Sequence, residues 1–328
     1  MKIAFFSSRQ YDIDIFNALN EQYQHKLEFF EPELDDKYAV LAKGFDAVCI
    51  FVNDGLNASI IAQLADYGIK AIFLRCTGYN NVDLEAARKN NILVYRVSYY
   101  SPYSVAEYAM TLILALNRKV YKSYNRIKRG NFELEGLMGF DLHKKTVGVI
   151  GTGKIGKVFT DILRGFGCRI LAYDLFQNED CLRSGVTYTD LNQLFAESDI
   201  ISLHCPLTPE NRHIINEDAI ALMKQDVMII NTSRGQLINT KDIIDGLKSG
   251  KIGSLAIDVY EEEAELFFKN LSDKIIQDDI FARLLTFPNV LISGHQAFFT
   301  KNALDDIGHA TLQNANAAAE GRTNENSL

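Results

Sequence analysis

Short apolar runs recur along the chain with helical patterns between them. Ile3–Phe6, Ala47–Phe51, Ala71–Leu74 and Ile92–Arg96 lie in the first third. Thr146–Ile150, Arg169–Tyr173, Ile200–His204, Val227–Asn231, Ser254–Asp258 and Val290–Ser293 follow. Among the intervening segments, Ile155–Phe166, Leu191–Ser198 and Lys241–Ser249 carry the spacing of amphipathic helices. Strands that alternate with helices predict α/β architecture, with parallel sheets covered by helices.

The pattern also divides the chain. In Tyr100-Ser101-Pro102, Ser101 suits a helix N-cap and Pro102 the first helical position. The helix that follows places Val105, Ala109, Leu112, Ile113 and Leu116 on one face. A second join is expected near Gln296–Thr300. The tail Ala303–Ala319 reads as a helix able to return to the first domain, and Gly321–Leu328 is polar and expected to be loose. The expected domains are residues 1–100 with 299–328, and residues 101–298. At 328 residues the chain exceeds a single-core size, which agrees with two domains.

Residues 147–156 read Val-Gly-Val-Ile-Gly-Thr-Gly-Lys-Ile-Gly. A β-branched strand runs into Gly151-x-Gly153-x-x-Gly156, and a helix begins at once. Gly151 permits a sharp turn, Gly153 lets a pyrophosphate approach the backbone, and Gly156 lets the helix pack close to the strand. Thr152, Lys154 and Ile155 complete the loop. The next strand ends at Asp174, where a carboxylate meets ribose hydroxyls and repels a 2′-phosphate. Leu175-Phe176-Gln177 supply no arginine for such a phosphate. The expected cofactor is NAD.

Composition narrows the partners. With 47% hydrophobic and 23% charged residues the chain is ordinary for a soluble protein. Its net charge of −8 argues against nucleic acid and anionic membranes. The start Met1–Ser7 is a strand pattern, not a secretory signal, and Val105–Leu116 is too short to span a bilayer. Five cysteines without a CxxC spacing read as reduced thiols in a cytoplasmic protein. The histidines show no zinc-binding spacing, so no metal is expected.

Three polar residues follow carboxyl ends of strands, where ligands bind in open α/β sheets. They are Arg234 in Asn231-Thr232-Ser233-Arg234-Gly235, Glu263 in Asp258-Val259-Tyr260-Glu261-Glu262-Glu263, and His295 in Ser293-Gly294-His295-Gln296. A 2-oxo acid needs a cation for its carboxylate, and arginine offers two parallel hydrogen bonds. Its carbonyl oxygen needs a proton donor, which imidazolium is near neutral pH. A carboxylate on the other ring nitrogen orients the imidazole and favours its charged form. Taken singly, such an arginine is an ordinary surface residue, such a histidine a packing group, and Glu261–Glu263 a solvated acidic run. Spacing alone does not say which glutamate points inward.

The chain resembles the D-specific 2-hydroxyacid dehydrogenases and, among them, the fermentative NAD-dependent D-lactate dehydrogenases. The resemblance spans nearly the whole chain. It is carried by Cys49-Ile50-Phe51-Val52-Asn53-Asp54, Arg75–Asp83, Gly151–Gly156, His204-Cys205-Pro206-Leu207-Thr208, Asn231–Gly235, Asp258–Glu261 and Gly294-His295-Gln296-Ala297-Phe298. It implies two domains, Rossmann-like and flavodoxin-like, with an active-site cleft between them. It implies that Arg234 binds carboxylate, His295 is the acid/base and Glu263 its partner. It assigns substrate contacts to Thr77, Gly78, Tyr79, Tyr100 and Phe298. Further cofactor contacts fall to His204, Cys205, Pro206, Thr232, Ser233 and Asp258. Thr77 and Ser98-Tyr99 depart from residues common in close relatives, which bears on the pocket loop and leaves the trio untouched.

The implied reaction is NADH-dependent reduction of pyruvate to D-lactate, with Phe298, Phe299 and Tyr100 crowding the pocket toward a methyl group. Larger 2-oxo acids are the alternative, and an NAD(H)-sensing corepressor-like protein a more distant one. Homodimers, through the helix after Ser101, or dimers of dimers are implied.

Overall fold

Strands whose side chains are buried on both faces need helices above and below them. The computed structural model describes all 328 residues, the side chain of Glu265 excepted. Ala47–Ile50 and Ala71–Leu74 are buried at every position. The chain forms two compact units, Met1–Ser101 with Phe299–Leu328, and Pro102–Phe298.

The first unit begins with β1 (Lys2–Phe5), α1 (Gln10–Asn20), β2 (Lys26–Phe29) and β3 (Ala47–Ile50). It continues through α2 (Ala58–Asp66), β4 (Ala71–Leu74), α3 (Leu84–Lys89) and β5 (Leu93–Tyr95). All five strands are parallel, in the order β2-β1-β3-β4-β5. Alternate residues feed separate cores. Phe5, Cys49, Phe73 and Tyr95 pack on one face, and Phe6, Val48, Ile50 and Ile72 on the other. Asn57 and Asp83 start α2 and α3 by accepting the N–H groups of Ile60 and Ala86.

The second unit opens with α4 (Pro102–Asn117) and α5 (Val120–Ile127). Strand–helix pairs follow: β6 (Thr146–Ile150), α6 (Lys154–Gly165), β7 (Arg169–Tyr173), α7 (Glu179–Arg183), β8 (Thr187–Tyr188) and α8 (Leu191–Glu197). Then come β9 (Ile200–Leu203), α9 (Glu217–Leu222), β10 (Val227–Asn231), α10 (Thr240–Ser249), β11 (Ile252–Ile257), α11 (Asp279–Leu285) and β12 (Val290–Ile292). The seven parallel strands lie in the order β12-β11-β10-β9-β6-β7-β8. From β6 the chain first builds outward through β7 and β8, then returns to add β9 on the other side. The switch point therefore falls between β6 and β9. Finally α12 (Lys301–Ala319) belongs to the first unit, packing Leu312 and Ala315 against the Phe5–Phe73 core.

The strands expected from apolar runs are all present, with ends shifted by at most two residues. Two strands carried too weak a signal. β2 lies at the sheet edge, so Lys26 and Glu28 stay exposed, and β8 is only two residues long. The polar tail is not loose. Leu328 N–H donates to the Val94 carbonyl, and Ser327 bridges Tyr95. Asn326 is buried, its Oδ1 accepting from the N–H and hydroxyl of Ser98 and its Nδ2 donating to Asn314. Hydrogen bonding to buried asparagines, not apolar periodicity, anchors this segment.

One face of α4 is apolar and packs within the chain. Ala109, Leu112, Ile113 and Leu116 lie with Val158, Phe159 and Leu163 of α6. Each leucine, isoleucine, valine or phenylalanine so removed from water stabilises the fold by roughly 1.5–3 kcal/mol. Exposed apolar groups sit on α5 and the segment after it. Val120, Tyr124, Ile127, Phe132, Leu134 and Met138 are all more than half exposed.

Candidate functional site

The glycine turn after β6 is shaped by steric necessity at two positions. Gly151 has φ +97°, and a Cβ there would stand 2.5 Å from the Cys205 nitrogen. At Gly156 a Cβ would come 2.0 Å from the Gly151 carbonyl oxygen. Gly153, the N-cap of α6, differs: a Cβ built there meets nothing within 4 Å. Its open side, and the unfilled donor capacity of a helix N-terminus, form a cradle for a phosphate-bearing group. Lys154 is exposed and Ile155 half-buried at the cradle rim.

Asp174, at the end of β7, ties this turn down. Its Oδ2 accepts the Thr152 N–H at 2.6 Å and the Thr152 hydroxyl at 3.2 Å, and its Oδ1 accepts the Phe176 N–H. The Tyr188 hydroxyl donates to Thr152 Oγ1 at 2.7 Å. Thr152 is therefore a buried bolt, and Asp174 has a structural duty beside any contact with ribose. Together the open Gly153, the α6 terminus and Asp174 fit a dinucleotide.

Across the switch point, His204 and Cys205 press their backbone against Gly151. The His204 ring turns toward α6, 4.6 Å from the Phe159 ring, with Nε2 2.9 Å from Ser202 Oγ. Its Nδ1 is buried without a partner, and burial pushes the imidazole down to about 3. His204 is thus a neutral packing group. Because unfolding restores an ordinary imidazole near 6.5, protonation favours the unfolded chain. Stability is fully present above that value and is lost as pH falls toward about 3. His204→Gln is expected to make the fall of Tm between pH 6.5 and 4 shallower, as read by thermal melts across that range. Parallel slopes in the two proteins would remove His204 from the acid response.

Burial also pushes the Cys205 thiol up to about 11, so it stays protonated at neutral pH. Pro206 is exposed, and its carbonyl accepts the Asn211 amide.

The next three strands carry the chemistry-bearing side chains. β10, β11 and β12 are neighbours, about 4.8 Å apart. Arg234 follows β10, Glu263 follows β11 and His295 follows β12. Asn231 shapes the arginine turn: its Nδ2 donates to the Arg234 carbonyl and its Oδ1 accepts the Ser233 N–H. Ser233 Oγ donates to the Cys205 carbonyl at 2.6 Å, joining this turn to the end of β9. The Arg234 guanidinium is half-buried and donates from Nη1 to the Ser233 carbonyl. Among the described residues no carboxylate forms an ion pair with it. It can therefore take a ligand carboxylate. Thr232 is buried beside it with Oγ1 lacking a protein partner, a polar atom suited to a bound group.

His295 Nδ1 lies 2.8 Å from Glu263 Oε1, and the Tyr260 N–H donates to Glu263 Oε2 at 3.0 Å. Glu263 is thereby fixed at both oxygens, and the third glutamate of the run is the one that meets the imidazole. The first, Glu261, turns to His213, and Glu262 is exposed. With Nδ1–H donating to Glu263, Nε2 is the nitrogen left for a reacting group. Phe268 and Phe298 flank the imidazole at 5.8 and 6.5 Å between ring centroids.

Asp258 explains how the histidine is held. Its carboxylate accepts the Ser293 hydroxyl at 2.6 Å and the N–H groups of Gln296 and Ala297 at 2.9 and 2.7 Å. Its carbonyl accepts the His295 N–H at 2.7 Å. These bonds fold residues 293–297 into a turn with His295 at φ 52°, a left-handed conformation unusual outside glycine. Burial raises the Asp258 carboxyl, while these donors oppose the rise. The sequence reading gave Asp258 to the cofactor and did not see this supporting role. The paired signals were present as Asp258 ending β11 and Ser293 ending β12, but adjacency of the two strands is a tertiary fact.

The remaining candidates belong to the first unit. Thr77, Gly78 and Tyr79 form the turn beyond β4. Arg96 donates to the Thr77 carbonyl and lies over the Tyr79 ring, 5.0 Å from its centroid. Beneath the turn, buried Arg75 pairs with Asp12 at 3.3 Å and donates to the Ser7 carbonyl. Tyr100 is half-buried just before α4. Among the described residues no cluster could hold a metal ion, and no helix is long and apolar enough to cross a membrane.

Comparison with known proteins points in one direction. Residues 110–297 match the family model for the NAD-binding domain of the D-isomer-specific 2-hydroxyacid dehydrogenases. The chain is 50% identical to D-lactate dehydrogenase of Escherichia coli over 328 residues, covering 100% of both. It superposes on the pyruvate reductase of Chlamydomonas reinhardtii with a TM-score of 0.94 at 43% identity, covering 99% of this chain and 98% of that one. With D-lactate dehydrogenase of Lactobacillus jensenii, solved with NAD+, the TM-score is 0.83 at 31% identity, covering 100% and 99%. The chain belongs to the D-isomer-specific 2-hydroxyacid dehydrogenases, NAD-dependent oxidoreductases, and its second unit is their NAD-binding domain.

Proposed function

We propose that this protein is a D-lactate dehydrogenase that reduces pyruvate to D-lactate and runs in reverse when lactate and NAD+ prevail. The carrying observation is the His295–Glu263 pair beside Arg234 on adjacent strands of the cofactor-binding sheet. The choice of pyruvate is supported by the relatives whose names include lactate or pyruvate.

In this reading Arg234 binds the substrate carboxylate through two parallel hydrogen bonds and so fixes the carbonyl's orientation. Backbone N–H groups of the Thr77–Tyr79 turn and the rings of Tyr100 and Phe298 complete the substrate-binding set. NADH, when bound, supplies the hydride for the carbonyl carbon. His295 Nε2–H gives its proton to the carbonyl oxygen, which becomes the hydroxyl. Glu263 holds the Nδ1–H throughout and stabilises the imidazolium before the transfer. In the reverse direction neutral His295 accepts the hydroxyl proton at Nε2. Phe268 and Phe298 stand beside the imidazole and limit solvent around it.

The test is NADH oxidation with pyruvate, followed by chiral analysis of the product, beside a panel of larger 2-oxo acids. D-lactate as the main product supports the proposal. A preference for a branched or aromatic 2-oxo acid would keep the chemistry and reject the substrate. Absence of turnover on every acid would favour an NAD(H)-sensing interaction protein.

The same assay reads cofactor choice. NADH is expected to be preferred over NADPH, since Asp174 repels a 2′-phosphate. Asp174→Ala is expected to narrow the ratio of the two kcat/KM values, and also to raise KM for NADH because Thr152 loses its acceptor. Equal use of both cofactors by the parent would displace Asp174 from the ribose. Within the proposal the protein is a cytoplasmic homo-oligomer, a homodimer or a dimer of dimers. Its five cysteines are all free thiols, and the exposed apolar side chains of α5 and residues 132–138 offer an assembly surface.

A further inference from the structure

The turn that carries Arg234 and the turn that carries Glu263 leave different strands, yet both must be placed against one substrate. Their backbones touch at Gly235, where a Cβ would stand 2.0 Å from the Tyr260 carbonyl carbon and 2.4 Å from the Glu261 nitrogen. Only glycine allows that approach. The β10–β11 ladder sets register as far as the Asp258 N–H, which donates to the Asn231 carbonyl at 2.9 Å; among the described residues no backbone hydrogen bond joins the two turns beyond it.

Glu261 supplies the missing constraint. Its side chain reaches back across the arginine turn. Oε2 accepts the Thr240 N–H at 2.8 Å, at the first residue of α10. Oε1 lies 2.7 Å from His213 Nε2. A carboxylate at a helix N-terminus is favoured by the unfilled N–H groups and the helix dipole. His213 is itself anchored to the arginine turn, its N–H donating to the Gln236 carbonyl at 2.9 Å. Two residues on, the Ile215 N–H donates to the Leu237 carbonyl, and Asn239 N–H returns to the Ile215 carbonyl. The segment from Arg234 to Thr240 is thus held on three sides, and the Glu261 side chain joins the two sides that the backbone leaves separate. His213 takes a left-handed φ of 55° to present its ring there. Both side chains are mostly buried, 29% and 17% exposed, so the pair is shielded more than a surface ion pair. Neither residue is in the set that touches substrate in the proposed reaction.

We propose that Glu261, braced by His213, is a positioning residue that holds the Arg234 turn in register with the Glu263–His295 pair. The proposal rests on the catalytic reading above. Glu261 acts through Arg234, so its effect appears in the use of the 2-oxo acid and leaves cofactor binding alone.

The experiment is a double-mutant cycle on the full-length enzyme, with pyruvate as substrate. Glu261→Gln keeps the shape, and His213→Gln removes the ring from the other side. Each is expected to lower kcat/KM for pyruvate about tenfold, with the Kd for NADH measured by fluorescence unchanged within about twofold. In an Arg234→Lys background the same substitutions are expected to cost less than about twofold, because the clamp they position is already lost. Equal losses in the two backgrounds would show a general structural role and overturn the proposal. So would normal activity of both single variants, or a loss that follows weaker NADH binding. If Glu261→Gln does not fold, His213→Gln carries the same cycle. A parent enzyme that reduces no 2-oxo acid would overturn the catalytic reading and this proposal with it. Silent Glu261 and His213 variants beside a crippled Arg234→Lys would overturn this proposal alone.

Discussion

Arg234→Lys is expected to lower kcat/KM for pyruvate by about two orders of magnitude or more, equivalent to about 3 kcal/mol of transition-state stabilisation. Lysine keeps the positive charge. It loses the planar fork that binds both carboxylate oxygens at once, and with it the orientation of the carbonyl toward His295. The guanidinium gives the turn one bond, from Nη1 to the Ser233 carbonyl. Asn231 fixes it through the Arg234 carbonyl and the Ser233 N–H, so the backbone should survive the change. The cofactor cradle lies at Gly151–Gly156 after β6, with β9 between it and β10. Affinity for NADH is accordingly expected to stay within about twofold. Steady-state kinetics with pyruvate, beside NADH titration by fluorescence, check both statements. Near-normal efficiency in Arg234→Lys would take Arg234 out of substrate binding.

Why Arg234 could be singled out in sequence, and Glu261 could not, is a matter of which interactions are local. A parallel strand buried on both faces announces itself as an apolar run, and the residue after it is marked by position alone. Arg234 and His295 are legible in that way, as are Gly151, Gly153 and Gly156, whose spacing is dictated by one turn. The choice among Glu261, Glu262 and Glu263 was open on spacing, because all three lie in one irregular stretch. The structure separates them by their partners: His213 and Thr240 from the preceding segments for Glu261, and His295 after β12, with the nearby Tyr260 N–H, for Glu263.

The same reason covers what the sequence leaves out. The His204 ring packs on Phe159 of α6, and the Asp258 carboxylate also holds the turn that presents His295. The C-terminal residues lack apolar periodicity and are nonetheless held by buried asparagines. Contacts between segments far apart in sequence decide each of these, and no local pattern encodes them.

The largest effect is expected at His295. His295→Gln leaves an amide that can neither give nor take a proton near neutral pH, so turnover should fall by about two to four orders of magnitude in both directions. Substrate binding through Arg234 should persist, and the fold should be little disturbed, since the turn is held by Asp258 through backbone N–H groups. Glu263→Gln is the finer probe. Gln keeps the shape and can accept from Nδ1–H, yet it no longer offers a negative charge to the imidazolium. Reduction of pyruvate needs His295 to give a proton, and the Glu263 charge assists the ring that carries it. Glu263→Gln is therefore expected to lower kcat for pyruvate reduction about tenfold or more, with the Kd for NADH unchanged within about twofold. Oxidation of lactate starts from the neutral ring and should be impaired less. That difference between the two directions separates an electrostatic role from loss of structure, which would depress both alike. Initial rates in both directions, beside NADH titration by fluorescence, decide the matter for the parent and Glu263→Gln. Equal losses in the two directions would show that the 2.8 Å contact only orients the ring.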